Sequence, residues 1–553
     1  MKRTVKILLS TIAGAGILLV LSGCNKTELA EAEENQTISS PQVQWYECLH
    51  TGSGRDITVG PSQRYASISD VPWETLGPGD TVRIFYREEP YREKIVISGD
   101  GTEEEPIRIC GVRGPNGERP VLDGDMAKND PDDQSAYGSY RPMEGLAMVL
   151  LWNRDFDRKV HNIVIEGLHI KNAKKTFDYR RMDGSLDRYE EGAACIRVQA
   201  GDNIVIRDNE LENCGNGIFT MSQEYNEASL TRNILIEGNY LHGHGEAGSY
   251  LQHALYIQSI GAIYQFNRFG PNTPGSLGAT LKERVAGSVI RYNWFESGSS
   301  RVLDLVEVED AASWYIVDEY LKSLGGARPD PDRLEKVRAA EAAYRKTYVY
   351  GNFIDHVGSK TIASSLIHYG YDNDPALARK GTLYFFNNTM SIRQDRSDSW
   401  RLRLFDIYLY DETKGTPAEE RVELFNNIIY FTNETAGSEA AYLCLGRASG
   451  TIDLGVNWIS DDWNGSEAMG ECYPYAGESP VVNGVSNLID TSSAEAPIDI
   501  TTLLPVDTPQ VRGRAQAMPS EIDAKYSVRY TYVPHQKGEP RSSVNDLGAA
   551  ELP

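Results

Sequence analysis

The stretch from Leu281 to Arg301, "LKERVAGSVIRYNWFESGSSR", holds four cations, of which Lys282, Arg284 and Arg301 could do chemistry together. Upstream, "HALYIQS" holds His253 and Tyr256; downstream, "RVLDLVE" holds Asp304 and "SLIHYGY" holds His368. An arginine can clamp a carboxylate through two parallel N–H bonds. A lysine or tyrosine can take a proton when neighbouring cations lower its pKa, and Arg284 and Arg301 stand near Lys282 in the chain. Such a set could neutralise a carboxylate, remove the proton beside it and aid the departing oxygen. That is β-elimination on a uronate-containing glycan.

Residues so far apart need a repeating frame. The template apolar, x, apolar, x, x, Asn, x, apolar recurs along the chain. Asparagine fills its sixth slot at Asn209, Asn239, Asn267, Asn293, Asn352, Asn388, Asn427 and Asn457, and Leu168 takes the slot once. Apolar residues two apart mark the inner face of a strand. The asparagine marks a turn, where its amide can bond the main chain and where it tolerates left-handed backbone. Strand–turn–strand units at intervals of 26 to 59 residues predict stacked coils with loops of unequal length between them. The fold class is therefore all-β: a single-stranded right-handed parallel β-helix with long loops. The segments "SWYIVDEYLKSL" (313–324) and "RLEKVRAAEAAYRK" (333–346) read as helices within an insertion at 311–346.

A further strand should follow each asparagine turn. If its large aliphatics point inward, alternation exposes Arg197, Phe219, Tyr256, Lys282 with Arg284, Asp304, His368, and Asp406 with Tyr408. Consecutive coils then place Tyr256, Lys282, Arg284, Asp304 and His368 on one outer strip, and His253 lies just before the Tyr256 strand. Lys282, Arg301, Arg284 and Tyr256 are the catalytic candidates; His253, Asp304, His368 and Arg197 are substrate-binding candidates.

The segment from "ITVGPSQRYASISD" through "PGDTVRIFY", "GTEEEPIRICG" and "VLDGD" resembles the opening of right-handed β-helix polysaccharide enzymes, and "DLGAAE" near the end resembles their closing segment. "LKERVAGSVIRYNWFESGSSR" resembles the "NKS…N…R" segment of the chondroitinase B and alginate lyase branch. The resemblance implies a lysine base at Lys282 and an arginine acid at Arg301. It departs in a shorter Lys–Arg interval and in Glu283 and Arg284, which replace small polar residues. It also implies calcium, but "PNTPGSLGATL" before Lys282 carries no carboxylate, so Ca2+ would need Asp304, Glu307, Glu309 and Asp310. "HGHG" (242–245) lacks a carboxylate at fixed spacing and reads as ordinary loop histidines, and no CxxC motif suggests zinc.

Net charge −24 over 553 residues argues against nucleic acid but leaves room for an acidic polysaccharide on a local basic groove. Lys2, Arg3 and Lys6, an apolar run, and "LSGC" resemble a bacterial lipoprotein signal over 1–23, with Cys24 lipidated. An acidic tether follows over 24–45, then a cap with first coils (46–150), the coil body (151–470) and closing coils with a cap (471–553). The expected location is the bacterial cell envelope, the expected state a membrane-anchored monomer. Disulfides are expected at 48–110, 195–214 and 444–472. A polysaccharide lyase is the leading reading. The alternatives are a glycoside hydrolase on the same fold, which needs paired carboxylates, and a non-catalytic glycan-binding lipoprotein.

Overall fold

The computed structural model describes residues 47–552, apart from 130–136, 138–140, 155, 223–226, 298–300, 359–364, 395–401, 408–418, 434–442, 448–449, 461–480, 485–486, 488, 490–495, 523 and 535. The expected signal, Cys24, the tether and Tyr408 fall outside the described residues.

Each coil lays one short strand on each of three walls. One coil runs through Ala194–Val198, Gly201–Arg207 and Glu210–Glu212; the next runs through Asn216–Thr220, Arg232–Glu237 and Tyr240–His242. Equivalent strands pair in parallel. Call these the first, second and third walls. Two strands, Leu255–Gln265 and Leu281–Arg291, continue from the first wall into the second. They bend at Gly261 and Gly287, with φ of 79° and 80°. Only glycine takes that conformation without a Cβ clash.

The interior is a stack of like residues. Ile163, Ile204 and Ile234 pair in register, as do Ile165, Ile206 and Ile236, and all are buried in one core cluster. Aromatic rings stack likewise, Phe269 on Phe295 at 4.6 Å inside and, in a separate cluster on the outer face of the second wall, Tyr350 on Phe386 at 4.8 Å and Phe386 on Phe425 at 5.0 Å. These spacings match the separation of adjacent strands, roughly 4.8 Å.

The asparagines form a continuous buried ladder at the corner between the second and third walls. Each Nδ2 donates to the Oδ1 of the next: Asn209 to Asn239 at 3.1 Å, then 3.0, 3.0, 2.9, 3.0, 3.1 and 2.9 Å on to Asn457. That Oδ1 also accepts the backbone N–H of the asparagine before it. Nδ2 donates a second bond to a strand carbonyl, such as Asn293 to Tyr264 O at 2.9 Å. One expectation is corrected. The left-handed residue is the one before the ladder asparagine: Asp208, Gly238, Phe266, Tyr292, Gly351, Asn387 and Asn426 all have positive φ. The amide is needed for the ladder, so the neighbour makes the turn.

The insertion forms helices at Asp310–Ser313, Val317–Ser323 and Pro331–Tyr344. The last starts two residues earlier than its apolar pattern suggests, because Asp330 caps it by accepting Arg333 N–H at 2.8 Å and Pro331 fits the first turn. The helices pack over Leu230, Ile260 and Ala286. After a last coil strand at Val481–Asn483, the chain returns along the earlier coils. Tyr526 stacks on Tyr348 at 3.7 Å, and Arg529 N–H donates to Tyr292 Oη at 2.8 Å. Much of the tyrosine content thus fills β surface under this strap. Cys48–Cys110 and Cys195–Cys214 are bonded as expected; the 444–472 pairing falls outside the described residues. Among the described residues no helix is long and apolar enough to cross a membrane.

Replacing Asn293 by alanine strands the two donors of Asn267 and the carbonyl of Tyr264 in the interior. A buried unsatisfied group costs about 1–3 kcal/mol, so Asn293→Ala should lower stability by about 3 kcal/mol or more, read as a drop in denaturant midpoint.

Candidate functional site

The outer strip is a register row on the first wall. Arg197 pairs with Phe219, Phe219 with Tyr256, Tyr256 with Lys282, Lys282 with Asp304, Asp304 with His368, and His368 with Asp406. Their strand neighbours Leu255, Ile257, Leu281, Leu303, Leu305 and Ile367 belong to the interior cluster, which turns the row away from the core. The expectation that these side chains are exposed is corrected. Lys282 is 8 %, Asp304 4 %, Arg284 2 % and His368 0 % exposed. Ion pairing and a loop after the His368 strand cover them.

That loop supplies a residue the sequence reading passed over. Gly370, with φ of 136°, turns the chain out of the strand. Asp372 then reaches back: its Oδ2 accepts from Lys282 Nζ at 2.7 Å and its Oδ1 from Arg284 Nη2 at 2.7 Å. Glu307 fixes the loop by accepting the backbone N–H groups of Asp372, Asn373 and Asp374 at 2.9, 2.7 and 2.8 Å. The signal was the acidic "DND" directly behind "SLIHYGY"; without the fold it reads as a solvated turn.

Lys282 Nζ also donates to Asp304 Oδ2 at 2.8 Å. Burial alone would pull the lysine pKa down, and Arg284 pulls the same way, but Asp304 and Asp372 outweigh both and the net direction is up. The premise that neighbouring cations would free Lys282 to act as a base is corrected: two carboxylates hold it as an ammonium. Arg284 is held by Asp372, by Glu307 at 3.1 Å and by Glu309 at 3.1 Å, and its Nε donates to Tyr256 Oη at 3.1 Å.

Arg301 Nη1 lies 3.1 Å from Asp304 Oδ1, and its Nη2 lies 3.8 Å from Asp406. His368 Nδ1 lies 2.7 Å from Asp304 Oδ1. Burial would raise the Asp304 pKa, but Lys282, Arg301 and His368 hold it well below the usual carboxylate range. His253 accepts Ala279 N–H on Nδ1 at 2.9 Å and sets its ring edge-on to Tyr256. Burial, reinforced by Lys282, pushes its pKa down to about 3, so it is neutral. Arg197 stays apart, over the Phe219 ring at 4.4 Å and bonded to Gln199.

Glu283 faces inward. It is fully buried, accepts Ser288 Oγ–H at 2.7 Å, and pairs with Arg379 at 3.2 Å, itself fully buried. Arg379 also donates to the carbonyls of Leu305, Val306 and Val285. The "KER" motif thus splits across the wall: two cations outside, one carboxylate inside.

The calcium candidates do not fit calcium. Asp304 lies with Lys282 and Arg301, away from the others' partners. Oxygens of Glu307, Glu309 and Asp372 lie within 4.8 Å of one another, but they converge on the Arg284 guanidinium. Asp310 has its pKa raised by burial and by Glu309. A cation among these carboxylates would meet a positive charge already seated there.

No protein-family model matches the chain. No curated protein matches it. Among solved structures, the chain is similar to a mannuronic acid specific polysaccharide family 6 lyase from human gut microbiota, at 13 % identity, 75 % of this chain, 80 % of that one and TM-score 0.39. An alginate lyase from Paenibacillus sp. str. FPU-7 gives 11 %, 68 %, 93 % and 0.35. A GH136 lacto-N-biosidase from Eubacterium ramulus gives 12 %, 74 %, 64 % and 0.38. The site's own geometry carries the functional reading.

Two outcomes follow from the buried charges. Arg379→Ala leaves Glu283 unpaired in the core and should cost about 3–5 kcal/mol; adding Glu283→Gln should recover much of it, measured by denaturant midpoints of the single and double variants. The folded pKa of Asp304 lies below its unfolded one. Its contribution is therefore full above the unfolded carboxylate range, roughly pH 4, and is lost as pH falls through the depressed value. Stability of Asp304→Asn should be lower at neutral pH and less steeply dependent on acid pH than that of the parent chain.

Proposed function

We propose that this chain is a lyase that cleaves a uronate-containing polysaccharide by β-elimination. The observation that carries the reading is the contact of Arg284 Nε with Tyr256 Oη, beside Lys282, on one outward row. Asp372 is a carboxylate bridging Lys282 and Arg284; it marks a seat that a substrate uronate can take when the loop gives way. With two cations on that carboxylate, the proton at the adjacent ring carbon becomes acidic. Tyr256 is the base, acting as its phenolate after its own proton has passed to solvent, and the Arg284 N–H that its oxygen accepts stabilises that anion. The Tyr256 phenolate takes the C5 proton, the C5–H electrons form the C4–C5 double bond, the bond to the O4 oxygen breaks, and the phenol so formed gives its proton to that oxygen. Lys282 serves as a fixed cation in this scheme. Arg301 and His368 orient Asp304, and Arg197 lies farther along the row as a glycan contact.

Electrostatics favours elimination over hydrolysis. Asp304 and Asp372 share Lys282 Nζ, which sets their oxygens no farther apart than the roughly 5.5 Å of a retaining pair. Hydrolysis needs one carboxyl held protonated. Both are held lower instead, Asp372 because Lys282 and Arg284 outweigh its burial. Attachment to the cell envelope through lipidated Cys24 and action as a monomer are part of the same proposal; the sequence start supports the first.

The test is ultraviolet absorbance of unsaturated uronate on a panel of acidic polysaccharides. Tyr256→Phe keeps the ring packing and should lower kcat by about 10²–10⁴-fold with little change in KM. Full activity in Tyr256→Phe removes it as base. Binding without any product from the parent chain turns the reading to a glycan-binding protein, and products without unsaturation turn it to a hydrolase.

A further inference from the structure

The third wall carries a second polar cluster, independent of the row. Glu210–Glu212 pairs with His169–Lys171 on one side and Tyr240–His242 on the other. Leu211 enters the core, so Glu210 and Glu212 both face outward. His169 stands opposite Glu210 and His242 opposite Glu212. His169 Nε2 lies 2.8 Å from Glu212 Oε2 and 4.0 Å from Glu210 Oε1, and His242 Nε2 lies 3.2 Å from Glu210 Oε1.

We propose that His169, Glu210, Glu212 and His242 form a binding site for a divalent transition metal of the zinc class. Imidazole nitrogen and carboxylate oxygen are zinc ligands, and at bond lengths of about 2.0–2.2 Å tetrahedral neighbours sit roughly 3.3–3.5 Å apart. The ligand atoms of His169, Glu210 and Glu212 already lie within 4.8 Å of one another, and His242 joins them through Glu210, its Nε2 3.2 Å from Oε1. Two carboxylates and two imidazoles supply four donors, the ligand number such an ion takes. The Tyr240 ring stacks on His242 at 4.3 Å and fixes its plane. Arg119 approaches the other Glu210 oxygen, Oε2, at 3.9 Å, and Lys171 neighbours Glu212; neither holds the oxygens turned toward the histidines. All four donors are partly exposed, which gives the ion a path in.

Two other metal-type groupings carry nothing. Cys195 and Cys214 beside His244 are joined in a disulfide, and the carboxylates around Arg284 already hold that cation.

The experiment uses the full chain without a histidine tag, stripped with chelator and titrated with Zn2+. Expected are one bound equivalent, an X-ray absorption signature with two imidazoles, and a Tm that rises with zinc because the ion ties three coils together. His242→Ala, and His169→Gln, which keeps a polar group beside Glu212, should each weaken binding about 100-fold or more and abolish the Tm rise, while the metal-free Tm of His169→Gln stays near that of the parent. No uptake by the parent chain overturns the proposal and leaves two His–Glu hydrogen bonds. Uptake unchanged in both variants overturns it as well.

Discussion

The in-register stacking of coils, enforced at one corner by the asparagine ladder, is the constraint on which everything else depends. From Asn239 to Asn427 each ladder amide accepts two hydrogen bonds from the asparagine one coil back, and donates to the asparagine one coil on and to a strand carbonyl, all buried. A slip of one residue would turn a strand's inner set outward. It would also break both amide bonds to the neighbouring coil. Loops of very different length, including the helical insertion, can then leave the coil without disturbing the register, because the next asparagine restores it. Asn293 and Asn352 are 59 residues apart and still meet at 2.9 Å.

On that frame, inward and outward positions obey different electrostatics. Glu283, pointing in, requires a dedicated arginine and a hydroxyl to be tolerated. Its neighbours Lys282 and Arg284, pointing out, meet carboxylates from other coils and from the loop that Glu307 anchors. The result is an ionic network in which the lysine stays charged, Asp304 and Asp372 are held below the usual carboxylate range, and Tyr256 Oη accepts from Arg284 Nε. Asp372 is the group that joins the two cations, one of its oxygens on Lys282 and the other on Arg284.

The same stacking explains the third-wall cluster. His169, the Glu210–Glu212 pair and His242 come from three successive coils, 41 and 30 residues apart in the ladder numbering of Leu168, Asn209 and Asn239. A ligand set spread this way has no short motif. "HGHG" read by itself offers two histidines on one strand end; in the fold His244 turns inward, with a pKa drawn down to about 3 by burial, and His242 finds its carboxylate one coil back.

Much of the architecture was legible in the chain, since the recurring asparagine and the period-two aliphatics are local signals of a turn and an inner face. They yielded the stacked coil and the outward candidates from Arg197 to Asp406, because alternation along one strand and steps between coils are both written in sequence; two disulfides followed from pairing neighbouring cysteines, and the insertion from its helical segments. What only tertiary structure decided is how the row is covered and charged. Asp372, the inward Arg379–Glu283 pair and the four donors on the third wall meet across intervals that vary with loop length, so no spacing rule announces them. The protonation of Lys282 was decided there too, because it depends on the sum of burial and charges gathered from four separate segments, a quantity that exists only once the chain has closed around it.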